Sequence, residues 1–286
     1  MRIHYNDYYR PSHDVVFAIA FSSKTLFVRL CSAVYGESIN IAGEPHSQAV
    51  VREYDPLLNS IRFDVLAIAD TEQIFTIDIQ RRYTKGRQER RGAYYMCRAV
   101  SSQPVERMKY EELRPVHIAF ILTDHKSTQS IKRGVRKVGL CYLDSSELYD
   151  DLIELVLVYV PAVIKKVDEY GDSDLYVFSR FFSISSAVEA DAYSAEFETN
   201  ELAKELVSMY NSIVANVQKL EEIENSPYFT QRLTEAQLAE ERAEAEAKGE
   251  AKGEAKGKAE GVSLLADLIR NGHSLDEALD KINERA

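Results

Sequence analysis

The sequence has no tryptophan and only three cysteines, and these scarcities exclude several simple classes of protein. Cys31, Cys97 and Cys141 are far apart and form no C-x-x-C pair, so their spacing supports neither a zinc knuckle nor a disulfide framework. We expect three free thiols in a protein core within a reducing compartment. The six histidines form no H-x-x-x-H pair, and G-x-G-x-x-G and P-loop motifs are missing, which argues against common zinc and nucleotide sites.

Long apolar stretches are also missing. The longest run, from Leu152 to Ile164, is interrupted by Glu154 and Pro161, and it is too short and too charged to span a bilayer. Residues 1–9 are polar and aromatic, a composition that does not fit a signal peptide. We therefore expect a cytoplasmic protein that does not associate with a membrane.

The charge is distributed unevenly along the chain. The 286 residues have a formal net charge of −11, which argues against a nucleic-acid partner, and 45% of them are hydrophobic, enough for a full core. Residues 81–140, however, hold 15 Lys and Arg against 5 Asp and Glu, whereas the rest of the chain holds 20 against 41. This basic block indicates either a solvated helix face or a surface that contacts phosphates. Its densest part contains Arg81, Arg82, Lys85, Arg87, Arg90, Arg91 and Arg98.

The apolar pattern predicts a mixed α/β core. Residues 14–35 are predicted to form a helix that has Ser12 as its N-cap and ends at Gly36. Two β-rich runs, at 61–69 and 74–80, are joined by a short polar stretch and predict a hairpin. Further strands are predicted at 48–54, 116–122, 135–143 and 152–159, although a helix also fits the pattern at 152–159, and a further helix is predicted at 86–101.

After about residue 165 the pattern becomes helical. An amphipathic stretch at 196–220 has apolar residues on one side, namely Leu202, Leu206, Met209, Ile213 and Val217. Further on, the repeat KGEAKGEAKGKAEG at 248–261 places a glycine at every fourth residue. The predicted organisation is a core at 1–165, a helical region packing on it at 166–225, a charged helical linker with the glycine repeat at 226–261 and a helical pair at 262–286. The terminal pair is a candidate for homo-oligomerisation.

The predicted hairpin has polar residues at positions that are otherwise apolar. Asp64 lies within IRFDVLAIAD, and Asp78 and Gln80 lie two residues apart in IFTIDIQ, so the latter two point to one face. If residues 69 and 73 are the last pair of the hairpin, Asp64 lies directly across from Asp78 on that face. Two such carboxylates repel each other unless a divalent cation holds them, and their oxygens suit Mg²⁺ or Mn²⁺. The alternative is a pair of surface carboxylates on an edge strand, paired with Arg62 or Arg81.

This arrangement resembles a known signature. Asp64, a strand–turn–strand and Asp78-x-Gln80 are similar to the D…(D/E)-x-K pattern of the PD-(D/E)XK nucleases, and more specifically to the recombination-promoting nuclease and transposase-like family, whose third motif is E-x-Q. Asp78 stands where this family usually has Glu. Three further motifs agree in order over residues 10–160: D-x-x-F-x-x-x-F at Asp14, Phe17 and Phe21, R-x-x-Y-Y at Arg91, Tyr94 and Tyr95, and Y-x-x-L-x-P-V-x-I at Tyr110, Leu113, Pro115, Val116 and Ile118.

The resemblance implies an α/β fold, a restriction-endonuclease-like mixed sheet flanked by helices, with a helical C-terminal extension. It implies a DNA endonuclease that depends on Mg²⁺ (or Mn²⁺) and hydrolyses phosphodiester bonds in recombination or in a mobile element. Asp64 and Asp78 would be catalytic metal ligands, and Gln80 and Asp14 would position the attacking water or an outer ligand of the metal. DNA would be held by Arg81, Arg82, Arg87, Arg90, Arg91, Tyr94 and Tyr95.

Two alternatives to an active nuclease stay open. The protein is then either a nuclease-fold DNA-binding protein with weakened catalysis or an interaction protein that oligomerises through its C-terminal helices. We expect His117, within a continuous apolar strand, to be a core residue and not a catalytic one.

Overall fold

The computed structural model describes residues 1–51, 61–81, 83–84, 86–103, 109–124, 128 and 131–225. Its strands are β1 (His46–Val51), β2 (Ile61–Ile68), β3 (Ile74–Gln80), β4 (Val116–Leu122), β5 (Val135–Cys141) and β6 (Leu148–Tyr159). Its first helices are α1 (Asp14–Ala20), α2 (Lys24–Tyr35) and α3 (Arg87–Ser101). After β6 follow α4 (Val160–Lys165), α5 (Val167–Tyr170), α6 (Asp174–Phe182), α7 (Ala187–Glu196), α8 (Glu201–Val214) and α9 (Val217–Glu224).

The strands form one mixed sheet in the order β1-β2-β3-β4-β6-β5. The β1/β2, β2/β3 and β5/β6 pairs are antiparallel, whereas β3/β4 and β4/β6 are parallel. The sheet and its flanking helices confirm the predicted fold class. Both strands of the predicted hairpin are internal, since β1 covers the outer side of β2 and β4 covers that of β3.

Strand β4 shows why the sequence forms this sheet. All seven residues of VHIAFIL are buried, as a strand covered by helices on both faces requires. On one face Ile118, Phe120 and Leu122 belong to a core cluster that includes Met96 of α3. On the other face the ring of Phe75 packs edge-on against that of Tyr35 in α2, with centroids 5.1 Å apart. The sheet is therefore the middle layer between α3 and the N-terminal helices.

Helix α3 approaches the sheet closely because of one glycine. A Cβ atom at Gly92 would lie 2.5 Å from Cδ2 and 3.2 Å from Cγ of the buried Leu155 side chain in β6. A carbon atom at 2.5 Å would overlap the Leu155 side chain, which would have to shift within the core to accept any residue larger than glycine. The contact fixes the height of α3 above the sheet, and with it the position of the neighbouring Arg91.

The helices after β6 pack on the N-terminal helices. The rings of Phe17 and Phe21 in α1 lie 5.7 and 5.8 Å from that of Phe182 in α6, and all three are buried. Arg29 Nε of α2 donates to Asp174 Oδ2 of α6 at 2.6 Å. Residues Met1–Glu221 thus form one compact unit. The linker and the C-terminal pair predicted for 226–286 lie outside the described residues.

The helix predicted at 14–35 is wrong in one respect, because the chain forms two helices there. Residues Phe21 to Ser23 interrupt it, and α1 and α2 meet at 107°. The N-cap is His13 and not Ser12, since His13 Nδ1 accepts the Val15 N–H. The predicted end at Gly36 is confirmed, with φ +76° in the left-handed region. Within the part of the chain that the structure describes, no single helix is long and apolar enough to cross a membrane, although α1 and α2 pass that test jointly.

Two other expectations need correction. The stretch at 196–220 is not continuous, because Asn200 caps a new helix by accepting the Ala203 N–H. Its buried side also differs from the predicted one, since Tyr210 is fully buried whereas Met209 is partly exposed. The three cysteines are free, but only Cys31 is a core residue, and Cys97 and Cys141 are exposed.

Candidate active site

Asp64 and Asp78 lie across from each other in the centre of the sheet. The β2/β3 pairs run from Ile68–Ile74 to Val65–Ile77, which is the register predicted from the hairpin, and Asp64 and Asp78 follow directly beyond the last of these pairs. Both side chains have no exposed surface. The alternative of two surface carboxylates on an edge strand is therefore wrong.

The two carboxylates bond to the main chain of the facing strand. The Asp64 N–H donates to Asp78 Oδ1 at 2.6 Å, and the Ile79 N–H donates to Asp64 Oδ2 at 3.0 Å. Directly beyond the Val65–Ile77 pair, main-chain N–H groups thus donate to side-chain oxygens. In a regular antiparallel ladder they would donate to main-chain carbonyl oxygens. This exchange satisfies buried N–H groups and holds both carboxylates between the strands.

Burial of both acids is costly without a compensating charge. A buried carboxylate is tolerated when it is paired or bound to a metal, and two neighbouring carboxylates repel each other. Within the described ranges, no group of three or more His, Cys, Asp and Glu residues could hold a metal ion. Two carboxylates nevertheless fit Mg²⁺, which commonly takes one or two protein carboxylates, substrate phosphate and several waters.

Gln80 is held by a residue of α3. Arg91 Nη1 donates to Gln80 Oε1 at 2.8 Å, and Arg91 Nη2 donates to the Tyr95 hydroxyl at 2.8 Å. The guanidinium carbon also lies 4.9 Å from the centre of the Tyr95 ring and 5.7 Å from that of Phe120. The main-chain carbonyl of Gln80 accepts the Thr123 N–H at 3.0 Å. Both the backbone and the side chain of Gln80 are therefore fixed.

Asp14 lies near the end of β3. Its Oδ1 is 3.9 Å from Nε of Arg81, the residue that follows Gln80. The side chains of Asp14 and Arg81 are 28% and 50% exposed, so solvent screens this ion pair and it contributes little to stability. The structure thus brings Asp14 to the same end of β3 as Gln80.

The exposed side of α3 is basic. Gln88, Gly92, Met96 and Ala99 are its buried residues. Arg87, Arg90 and Tyr94 are exposed and follow one another at helical spacing, which makes a stripe on the side of the helix that faces away from the sheet. Tyr95 is partly buried instead, with its ring 5.5 Å from that of Phe63 and 6.0 Å from that of Phe120. Arg82 lies outside the described residues.

Two tyrosines pack together near this end of the sheet, Tyr83 just after β3 and Tyr159 as the last residue of β6. The Tyr83 hydroxyl donates to Glu89 Oε1 at 3.2 Å, and the Tyr83 ring packs edge-on against that of Tyr159 at 5.6 Å. Burial raises the pKa of both Tyr83 and Tyr159 above the ordinary value of 10.0. Both hydroxyls therefore stay protonated at neutral pH, and neither serves as a base.

The whole arrangement matches a known family of proteins. The model of the PD-(D/E)XK nuclease family transposases matches residues 11–228. The chain belongs to this family. The match spans the sheet, both carboxylates, α3 and the helices up to the end of the described part. No curated protein and no solved structure shows significant similarity to the chain.

Two residues shape the site of this family member in ways that the sequence analysis does not predict. Arg91 is expected there to hold DNA, and the structure adds that its guanidinium bonds to Gln80 and Tyr95. The R-x-x-Y-Y spacing was the available signal, since Arg91 and Tyr95 at i and i+4 lie on the same side of a helix. Gly92 gave no signal, because only the packing of α3 on Leu155 shows that glycine is needed there.

Proposed function

We propose that this member of the family is a DNA endonuclease that depends on Mg²⁺, hydrolyses phosphodiester bonds, and acts in the cytoplasm on recombining or mobile DNA. The observation that supports the proposal most directly is the pair of fully buried carboxylates, Asp64 and Asp78, held across β2 and β3 by main-chain amides. Buried carboxylates are tolerated when they are paired or bound to a metal, and two oxygen ligands on facing strands suit Mg²⁺. Mn²⁺ has the same preference for oxygen ligands and should replace Mg²⁺.

In this proposal each residue has a distinct task. Asp64 and Asp78 hold the cation, which when bound supplies charge neutralisation at the scissile phosphate and an activated water. The main-chain amides of Asp64 and Ile79 fix the orientation of the carboxylates. Asp14, at the open end of β3, orients water near the phosphate.

The basic stripe of α3 is proposed to hold the DNA backbone. Arg87 and Arg90 are exposed, and Tyr94 beside them is 42% exposed. Contacts of this type position a duplex without reading its sequence. Each phosphate neutralised should contribute about 0.9 to the slope of log affinity against log salt.

The test is a plasmid-nicking assay with Mg²⁺ and with EDTA, run on the full chain. We expect nicking only with the metal, and loss of at least about 100-fold in rate for Asp64→Asn and for Asp78→Asn, comparable to removal of a principal electrostatic element of a site. Asp70→Asn is the matched control, because Asp70 is an exposed acid in the turn of the same hairpin. Cleavage by either site variant at the parental rate would disprove the assignment.

A specific observation supports a second candidate, a nuclease-fold protein that binds DNA with little cleavage. Asp78 is one methylene shorter than the glutamate usual in the family, and its Oδ1 is engaged by the Asp64 N–H. In that case DNA binding would remain salt-dependent while Mg²⁺ and Mn²⁺ give no turnover. Asp78→Glu separates the two candidates, because restored cleavage would show that carboxylate reach limits the parent.

A further inference from the structure

We propose that Gln80 is a hydrogen-bond donor to an oxygen of the scissile phosphate and that Arg91 is the positioning residue that holds it in this orientation. This inference rests on the proposed nuclease function. It differs from the expectation that Gln80 orients water and that Arg91 contacts the DNA backbone.

The orientation of the Gln80 amide follows from the chemistry of its partner. A guanidinium group has five N–H donors and no acceptor, so the Gln80 atom at 2.8 Å from Arg91 Nη1 is the oxygen Oε1. The amide nitrogen Nε2 is then directed away from Arg91. Among the described residues Nε2 donates to no protein atom, and both of its hydrogens are available to a ligand.

The position of Gln80 brings these donors to the carboxylates. Asp78 and Gln80 are two residues apart in β3 and share a face of the sheet. That face is covered by α3, which supplies Arg91. A phosphate whose cation is held by Asp64 and Asp78 would then lie on the same face of β3 as the Nε2 donors.

Arg91 is constrained far more than a surface arginine. It bonds to Gln80 Oε1 and to the Tyr95 hydroxyl, and it lies over the rings of Tyr95 and Phe120. The positive charge of Arg91 lies at Oε1 of the Gln80 amide, polarises that amide and makes Nε2 a better donor. Gln80 and Arg91 together thus present a donor backed by a positive charge, which favours the negative charge that develops on a phosphate in the transition state.

Gln80→Glu is the variant that tests the orientation. Glutamate keeps the acceptor facing Arg91 and the length of the side chain, but it replaces the donor with an acceptor. We expect cleavage to fall at least about 100-fold, in the range for loss of one donor to a developing oxyanion, while the melting temperature is kept. Mn²⁺ affinity, measured by titration without DNA, should stay within about threefold, because Gln80 is not a metal ligand in this account.

The opposite assignment gives opposite results. If Gln80 binds the metal through its oxygen, glutamate is at least as good a ligand. Cleavage by Gln80→Glu at the parental rate, or Mn²⁺ binding at least tenfold tighter, would overturn the inference. The nuclease function itself would stand in that case, provided that Asp78→Asn abolishes cleavage. If parent and Asp78→Asn alike cut no DNA with Mg²⁺, the proposed function fails instead.

Arg91→Met and Arg90→Met form a matched pair of neighbours on α3. We expect Arg91→Met to lower kcat at least tenfold and to leave KM and the salt dependence of DNA binding unchanged, because the hydrogen bonds lost are those to Gln80 and Tyr95 within the protein. Arg90→Met should raise KM and reduce the salt slope by about 0.9, the contribution of one phosphate contact. A lowered salt slope in Arg91→Met with parental kcat would show that Arg91 binds DNA, and would refute its positioning role.

Discussion

The structure makes a quantitative prediction about Asp78, in which asparagine and alanine behave differently. Asp78→Asn keeps an oxygen that accepts the Asp64 N–H, whereas Asp78→Ala leaves this buried N–H without its acceptor at 2.6 Å. An unsatisfied buried donor costs about 1–3 kcal/mol. Asparagine also removes the repulsion between the two carboxylates, about 3 kcal/mol for charges about 5 Å apart at an effective dielectric constant of about 20.

Thermal unfolding of the full chain in EDTA measures this difference. For a unit of this size 1 kcal/mol shifts the melting temperature by about 2–4 °C. We expect Asp78→Asn to melt at or above the parent, and Asp78→Ala to melt several degrees below Asp78→Asn. Saturating Mg²⁺ should then stabilise the parent by about 2.7 kcal/mol at a concentration 100 times Kd, and neither variant.

Melting of Asp78→Asn below the parent would contradict the expected repulsion between the two carboxylates. If Asp78→Asn melts well below the parent in EDTA, the two carboxylates are a stabilising structural pair and not a site that requires a cation. An equal Mg²⁺ shift in parent and Asp78→Asn would exclude this pair as the metal ligands. Asp70→Asn controls for the loss of one negative charge elsewhere in the hairpin.

Three further predictions concern the surroundings of the site. Gly92→Ala should destabilise the protein by about 1–3 kcal/mol in urea unfolding, because the new methyl overlaps Leu155, and a variant as stable as the parent would contradict the packing described. Burial opposes ionisation of Glu154, but its bonds to His117 and Lys137 outweigh burial and lower its pKa below the ordinary value of 4.5. The stability that the ionised Glu154 contributes is therefore present above pH 4.5 and is lost as the pH falls below it. Glu154→Gln should reduce the loss of unfolding free energy between neutral and acidic pH. An unchanged loss would exclude Glu154 and its two partners as the cause. Asp78→Glu should cleave at least as fast as the parent in the nicking assay, and a large loss would show that the site is built for the shorter acid.

Local patterns were sufficient to predict much of the sheet. The runs at 74–80 and 116–122 form strands with the predicted bounds. Continuous burial and period-two alternation of apolar residues leave few other secondary structures possible for them. The β2/β3 register from Ile68–Ile74 to Val65–Ile77 also follows from hairpin geometry. Residues 14–35 show the limit of this reasoning, since the break at Phe21–Ser23 lets Phe21 pack on α6, a contact distant in sequence.

The roles of the basic residues could not be predicted for the same reason. Arg90 and Arg91 are neighbours in one run, yet one is exposed and the other bonds to a strand. Their difference depends on the rotation of α3 about its axis, which the contact between Gly92 and Leu155 sets. Composition identified a basic run, but tertiary packing decides which of its members are exposed.

The most direct test of the central claim is the Mg²⁺ dependence of plasmid cleavage by the parent and by Asp64→Asn in parallel. This substitution removes one charge and keeps an oxygen that accepts the Ile79 N–H, so the fold should be retained. The account predicts cleavage by the parent with Mg²⁺, none with EDTA, and none by Asp64→Asn under either condition. Equal cleavage by the two proteins, or cleavage by the parent in EDTA, would contradict it.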